Sequence, residues 1–397
     1  MDDERATDRD WTLKVVSSIH DIDATDWDVC AGVHGPQHNP FVRHAFFSAL
    51  EDSGSVDADT GWQPQHVVLE DSKGRILACA PLYLKNHSYG EYVFDWGWAE
   101  AYQRAGGRYY PKLQCAVPFT PVTGPRLLVR GDSDASTRTE LQRALLAGME
   151  ELARRLKVSS LHVTFPTQSE ADLMTQAGFL PRLGEQYHWK NEGYASFDDF
   201  LEALSSRKRK AIRKEREKAN SAGITIRTLV GSEITSTHWD AFFDFYMNTS
   251  DRKWGQAYLT REFFDLLGQR LGDAVVLVIG EQSGTPVCGA LNLRGGDTLF
   301  GRNWGTLVDI PMLHFEVCYY RAIDFAIAHK LAWVEAGAQG QHKLQRGYLP
   351  RATYSAHWIA DTGFRQAVAR FLEQEREAIS EDIAVRTELG PFKHLDN

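Results

Sequence analysis

The chain has 397 residues, a net charge of −9, 43% hydrophobic and 24% charged residues; this excludes a disordered or fibrous protein and leaves room for about two or three domains, each with its own core. The opening MDDERATDRD is too polar and acidic for a secretory signal, and no apolar run is long enough to cross a bilayer, so a cytoplasmic location is expected. Five cysteines (Cys30, Cys79, Cys115, Cys288, Cys318) show no CxxC spacing and are odd in number, which argues against a disulfide framework or a thiolate zinc site.

In chain order, PFVRHAFFSALE after Asn39 reads as a helix with Pro40 in its first turn. QHVVLEDSKGRILACAPLYLK (65 to 85) reads as a hairpin around DSKG, and a third strand is expected to end at Phe94-Asp95-Trp96-Gly97. An insertion from 99 to 132 follows, rich in aromatics and proline, and long loops of this kind are usually functional or disordered. TRTELQRALLAGMEELARRLK places Leu141, Leu145, Leu152 and Leu156 on one helical face; LHVTF (161 to 165) is the next strand, and GFLPRLGEQYHW (178 to 189) closes the half.

FDDFLEALSSRKRKAIRKEREKANSAG then reads as a helix over 196–220, with Ser196 and Asp199 as a capping pair and Gly223 as its stop. Arg207 to Lys218 carries a strong positive excess in an acidic chain. A solvated helix face is one account; a site for phosphates, with Arg207, Lys208, Arg209, Lys210 and Arg213 as contacts, is the other.

The second half repeats the order. AVVLVIGEQSGTPVCGALNLR (274 to 294) is a hairpin, a third strand ends in Arg302-Asn303-Trp304-Gly305, and MLHFEVCYYRAIDFAIAHK (312 to 330) is a helix. AWVEAG (332 to 337) is a strand, and GYLPRATYSAHW (347 to 358) echoes GFLPRLGEQYHW. The expected fold is α/β (α+β): two tandem units, each a mixed, mostly antiparallel sheet flanked by helices, at 11–193 and 194–390.

No GxSxG, HExxH or Walker loop occurs, and the histidines show no metal-ligand spacing, so neither a covalent nucleophile nor a metal is assigned. Candidates cluster at strand ends. Arg302, Asn303 and Trp304 end one strand; Glu335, the glycine-bearing loop with Gln339 and Gln341, His342 and Lys343 follow the next. Lys343 supplies positive charge, and His342 or Glu335 could accept a proton, unless these are ordinary loop residues. Glu316 lies on the apolar stripe of its helix, which calls for an ion-pair partner such as Arg302 or Arg346, or else a ligand amine.

DWGWAEAYQRAGGRYYPK, PFTPVTGPRLL, RKRKAIRKERE, RNWG, LHFEVCYYRAIDFAI and GAQGQHKLQRGYLP together resemble the FemAB-like group of predicted N-acyltransferases, related to the Fem-type peptidyltransferases and built from two acyltransferase domains of the GNAT fold. The resemblance runs from about Trp11 to about Gly390 and implies transfer of an acyl or aminoacyl group to an amine, with cell-envelope precursors of the peptidoglycan type as acceptors in the Fem relatives. It implies direct attack without an enzyme-bound ester, a donor that is aminoacyl-tRNA or acyl-CoA, and no tightly bound cofactor. Lys343 would stabilise the oxyanion; Asp95, Trp96, Tyr110 and Lys112 would line an acceptor cleft with Arg302, Asn303, Trp304, Glu316 and Arg346. The CoA pyrophosphate loop of GNAT enzymes, Gln/Arg-x-x-Gly-x-Gly/Ala, is incomplete here, because Thr-Leu-Val follows Gly305. A small-amine N-acetyltransferase and a non-catalytic binding module remain alternatives, and the oligomeric state is left open.

Overall fold

Alternating apolar residues and tight turns produce fifteen strands in the structure, a computed structural model that describes residues 11–253, 257–337 and 340–393. The first half holds β1 (Trp11–Val16), β2 (Trp62–Pro64), β3 (His66–Asp71), β4 (Ile76–Ala80), β5 (Leu82–Lys85), β6 (Lys112–Cys115), β7 (Leu128–Val129), β8 (Ser160–Thr164) and β9 (Leu180–Lys190). The second holds β10 (Ile224–Val230), β11 (Val275–Gln282), β12 (Thr285–Arg294), β13 (Thr298–Thr306), β14 (Trp333–Glu335) and β15 (Leu349–Ile359).

The two halves interlock. An 11-stranded sheet runs β10-β11-β12-β13-β14-β9-β15-β8-β6-β5-β2, so each half's closing strand lies in the other half's sheet. The repeated phrases are these two strands, and they pair antiparallel with each other, Leu180 opposite His357 and His188 opposite Leu349. A second sheet, β1-β3-β4-β7, flanks the first half. The helix Ala135–Leu156 covers the first half's apolar face, and Ala322, Ile323, Ala326 and Ile327 cover the second.

Three expected elements differ. Pro40 lies in a 3-10 turn, Pro40–Val42, which the extended Arg43 separates from the helix His44–Asp52. No strand ends at Phe94–Gly97: Trp96–Arg104 is a helix whose Trp98 and Ala99 pack with Val368 and Leu372 of the C-terminal helix Thr362–Glu388, while Tyr102 stacks on Phe364. The third strand of that half is β6, inside the stretch 99–132; it pairs with β5 and runs parallel to β8. The basic segment is two helices, Phe197–Ala203 and Ser206–Asn220. The break has a cause: Ser205 donates its N–H to Pro391 O, and Lys393 donates its own to Ala203 O, taking backbone groups a continuous helix would use.

At the seam His162 on β8 faces His357 on β15, their Nδ1 atoms 2.7 Å apart. Burial, aided by the Lys112 charge, pushes His162 down to about 3, and burial with His162 beside it pushes His357 well below the usual histidine range. Both are neutral when folded but take up protons below pH ~6.5 when unfolded, so stability is lost as pH falls through that value. A His357→Asn chain is expected to lose this contribution: its unfolding free energy should fall less steeply between pH 6.5 and 5.5, by up to ~1.4 kcal/mol per pH unit. Urea denaturation across that range checks it; parallel slopes for the two chains would contradict it.

Candidate functional site

The sheet opens at one place in the second half. β13 pairs with β14 only through Thr298–Phe300, opposite Trp333–Glu335, and then runs on from Gly301 to Thr306 while the chain after β14 turns away. Along that edge no strand among the described residues pairs with β13, so its backbone groups face the gap. On the other edge the register with β12 slips between Ala290 (opposite Trp304) and Asn292 (opposite Gly301), leaving an extra residue at Arg302–Asn303. Such bulges redirect side chains and occur often beside active sites.

A cavity of about 550 Å³ fills the gap. Asn292, Arg302, Asn303 and Trp304 form its floor; Gly337, Gly340, His342 and Lys343 come from the loop after β14. The helical stretch after Met312 adds His314 and Tyr319, and the first half adds Tyr92, Phe94 and Phe119. The five sequence candidates Arg302, Asn303, Trp304, His342 and Lys343 therefore meet in one place. Gln339 lies outside the described residues.

The polar groups have defined partners. The buried ammonium of Lys343 donates to Ala336 O and Gly337 O, tying the loop to the end of β14. His342 is exposed and its Nε2 lies 2.9 Å from Tyr319 Oη. Tyr319 reaches it from a π-helical turn, Glu316–Tyr320, inserted between Leu313–Phe315 and Arg321–Ala328. Such turns occur frequently at functional sites. The Arg302 guanidinium donates to Glu335 Oε2 at 3.1 Å and lies 4.7 Å from the Phe41 ring centre. Burial raises the Glu335 carboxyl although Arg302 opposes the rise. Glu335 does not line the cavity.

Gly305 does not belong to a phosphate loop but lies within β13, where a Cβ would sit 2.0 Å from Phe245 O. That glycine lets the helix Ser236–Lys253 press against the strand and bring Tyr246 to the cavity.

Other candidates lie behind this wall. Glu316, fully buried, accepts from Arg216 and forms an ion pair with Arg321 rather than with Arg302 or Arg346. Arg346 donates to Glu215 at 2.8 Å and to His342 O at 2.6 Å, so the basic helix holds the loop that carries His342 and Lys343. The helix divides its charges. Arg209 pairs with Glu202, Arg213 with Asp198 and Arg216 with Glu316 and Asp324. Arg207, Lys210, Lys214 and Lys218 are exposed along one face, with no ion pair among the described residues; Lys208 is half-buried.

Asp95 and Lys112 are buried together, with Tyr109 donating to Asp95 at 2.6 Å, and neither lines the cavity. Tyr110 bonds Ser88 at 2.8 Å, and Trp96 is exposed with its ring edge-on to Tyr89. The first half's own gap, beyond Cys115 and Thr164, is filled: fully buried Arg126 donates to Thr164 O, Val122 O, Gly124 O and Pro125 O. Among the described residues one open site is left in the sheet.

A family model described as peptidoglycan biosynthesis/recognition, FemAB-like, matches residues 18–394. The chain belongs to the FemAB-like family. Among solved structures, FemX is similar at a TM-score of 0.54 and 11% identity, over 88% of this chain and 98% of that one. The C-terminal domain of a putative lysylphosphatidylglycerol synthetase from Agrobacterium fabrum gives 0.51 and 9%, over 90% and 97%. L-PGS from Bacillus licheniformis gives 0.50 and 10%, over 82% and 95%. These likenesses show the fold, a tandem GNAT-like arrangement; a search of curated proteins found no match by sequence. Family and fold together support a transferase, and no helix among the described residues is long and apolar enough to cross a membrane.

Sequence reasoning missed Tyr92, Phe94, Tyr246, Tyr258 and Tyr319 as cavity residues. For Phe119 a signal existed, since it lies in the long aromatic stretch 99–132.

Proposed function

We infer that this FemAB-like protein is an N-acyltransferase that moves an acyl or aminoacyl group from an activated donor to an amine. The observation that carries the reading is the gap between β13 and β14, which opens into a cavity beside Lys343 and His342. A donor carbonyl laid in the gap meets backbone N–H groups of the Gly301–Trp304 edge, and Lys343 adds positive charge as the oxygen becomes anionic. The amine attacks the carbonyl carbon, a C–N bond forms, and the ester or thioester bond breaks to release a hydroxyl or thiol. His342, at the cavity surface, is the favoured acceptor of the amine proton over Glu335, which is buried against Arg302. The unit 194–390 supplies this chemistry, while 11–193 supplies the facing wall.

Aminoacyl-tRNA is the favoured donor over acyl-CoA. Four cations spaced along one exposed helix face, spanning ~16 Å at 1.5 Å per residue, suit a run of phosphates. The family description favours a peptidoglycan-type amine as acceptor. The test supplies purified protein with aminoacyl-tRNA or with acyl-CoA and a panel of cell-envelope amines, following the mass gained by the amine. Transfer abolished by ribonuclease supports the tRNA donor; transfer that survives it with release of free thiol decides for CoA. With tRNA as donor, replacing Arg207, Lys210, Lys214 and Lys218 by serine is expected to weaken donor binding and flatten its salt dependence; an unchanged salt slope would remove the phosphate role. Salt-sensitive tRNA binding without turnover on any amine would make the protein a binding module instead.

A further inference from the structure

The segment Ser88–Asp95, which leads from β5 toward the helix Trp96–Arg104, has two sides. Gly90, Tyr92 and Phe94 face the cavity, while Ser88, Glu91 and Asp95 are buried behind it. All three buried side chains converge on one ammonium: Lys112 Nζ donates to Ser88 Oγ at 2.9 Å, to Glu91 Oε2 at 2.7 Å and to Asp95 Oδ2. Lys112 is fully buried, and although burial opposes its charge, Asp95 and Glu91 more than offset that and raise its pKa. Taking these charges out of water is costly, and apolar packing of equal volume would serve stability as well. What the ion cluster adds is a fixed geometry for one stretch of chain.

That stretch is held in an unusual shape. Tyr92 and Phe119 both have φ of 61°, uncommon for bulky residues, and both line the cavity. Lys157 and Ser283, also left-handed, merely end a helix and turn a hairpin. The two aromatic segments are locked together, because Phe119 donates its N–H to Gly90 O at 3.1 Å and a Cβ at Gly90 would lie 2.6 Å from the Phe119 ring. Tyr258 stacks on Phe119, with ring centres 5.2 Å apart.

We propose that Lys112, although outside the cavity, is a positioning residue for the amine acceptor: by holding Ser88, Glu91 and Asp95 it turns Tyr92 and Phe94 inward as the wall that faces the donor carbonyl. This rests on the acyl-transfer reading above. The donor groups lie on β13 and the loop after β14, so a displaced wall shifts the acceptor and leaves the donor in place.

The test uses the full-length Lys112→Met and Lys112→Arg proteins with the donor and amine found in the transfer screen. Lys112→Met should raise the KM for the amine about tenfold or more while the KM for the donor moves less than about threefold, with Lys112→Arg recovering most of the loss. Equal changes in both KM values, or none, would overturn the proposal. Hydrogen exchange on the same proteins supplies a readout that needs no substrate: amides of 88 to 95 should exchange faster in Lys112→Met while those of β11 and β12 do not. Unchanged exchange at 88 to 95 would also overturn it. If Lys112→Met fails to fold, Glu91→Gln, which leaves Asp95 as partner, is read in both assays with the same expectations. If the wild-type protein transfers nothing to any amine, the acyl-transfer reading falls, and faster exchange confined to 88 to 95 would still establish the hold of Lys112 on the wall.

Discussion

Replacing Lys343 with methionine is expected to lower kcat by about 10²–10³-fold, the usual cost of removing one donor aimed at a developing oxyanion. The loss should fall on kcat more than on KM, because the carbonyl oxygen carries full negative charge only after the amine attacks. Lys343 also donates to Ala336 O and Gly337 O, so its removal takes a donor from each, with Gly337 O keeping the Tyr187 N–H. That should cost ~1–3 kcal/mol of stability, which a urea titration can separate from the kinetic effect. A folded Lys343→Met protein with kcat within about threefold of wild type would leave the oxyanion without its proposed cation.

The second large effect concerns the half without an open site. Arg126 is fully buried and spends its guanidinium on four backbone carbonyls, while Glu170 accepts from the backbone N–H groups of Arg126 and Leu127 at 2.9 and 2.7 Å. Burial lowers its pKa to about 10, so the charge persists at neutral pH. Arg126→Met removes every one of those side-chain donors, and unfolding in urea should show a loss of about 3–5 kcal/mol. A loss below about 1 kcal/mol would mean that water replaces the guanidinium and that the first gap is not sealed by this side chain. The same loop presents Phe119 and Pro121 to the cavity, so folded Arg126→Met protein should also bind the acceptor more weakly.

Much of this arrangement can be read from the sequence, and the remainder fails for identifiable reasons. Apolar periodicity marks the helices at Ala135–Leu156 and after Met312, and the paired phrases ending in His-Trp mark β9 and β15. Strand patterning says which residues face a core but not which strand lies alongside, so the exchange of closing strands between halves is invisible without the pairing itself. Arg302, Asn303, Trp304, His342 and Lys343 are legible because strand ends and glycine-bearing loops are where backbone approaches a ligand. Lys112 and Asp95 stand out in the sequence for their aromatic surroundings, yet their mutual attraction draws both into the interior, where they shape the cavity wall instead of lining it. The basic helix is misleading in the opposite way: Arg209, Arg213 and Arg216 look alike in sequence to Lys210 and Lys214, but local acids take up the first three. Tyr92 carries no local signal for a cavity, and Phe119 is flagged only by its place in the long aromatic stretch 99–132, since the role of both depends on left-handed backbone conformations that ordinary propensities disfavour.

The account stands on the gap between β13 and β14 as the place where the activated carbonyl binds. Crystals grown with an unreactive donor, either an amide-linked aminoacyl-adenosine or an acyl-CoA with its thioester sulphur replaced by methylene, test this directly. The account predicts the carbonyl oxygen within hydrogen-bond distance of the Arg302–Asn303 backbone and on the Lys343 side of the cavity. Donor density elsewhere on the chain, with that gap occupied only by solvent, would contradict it.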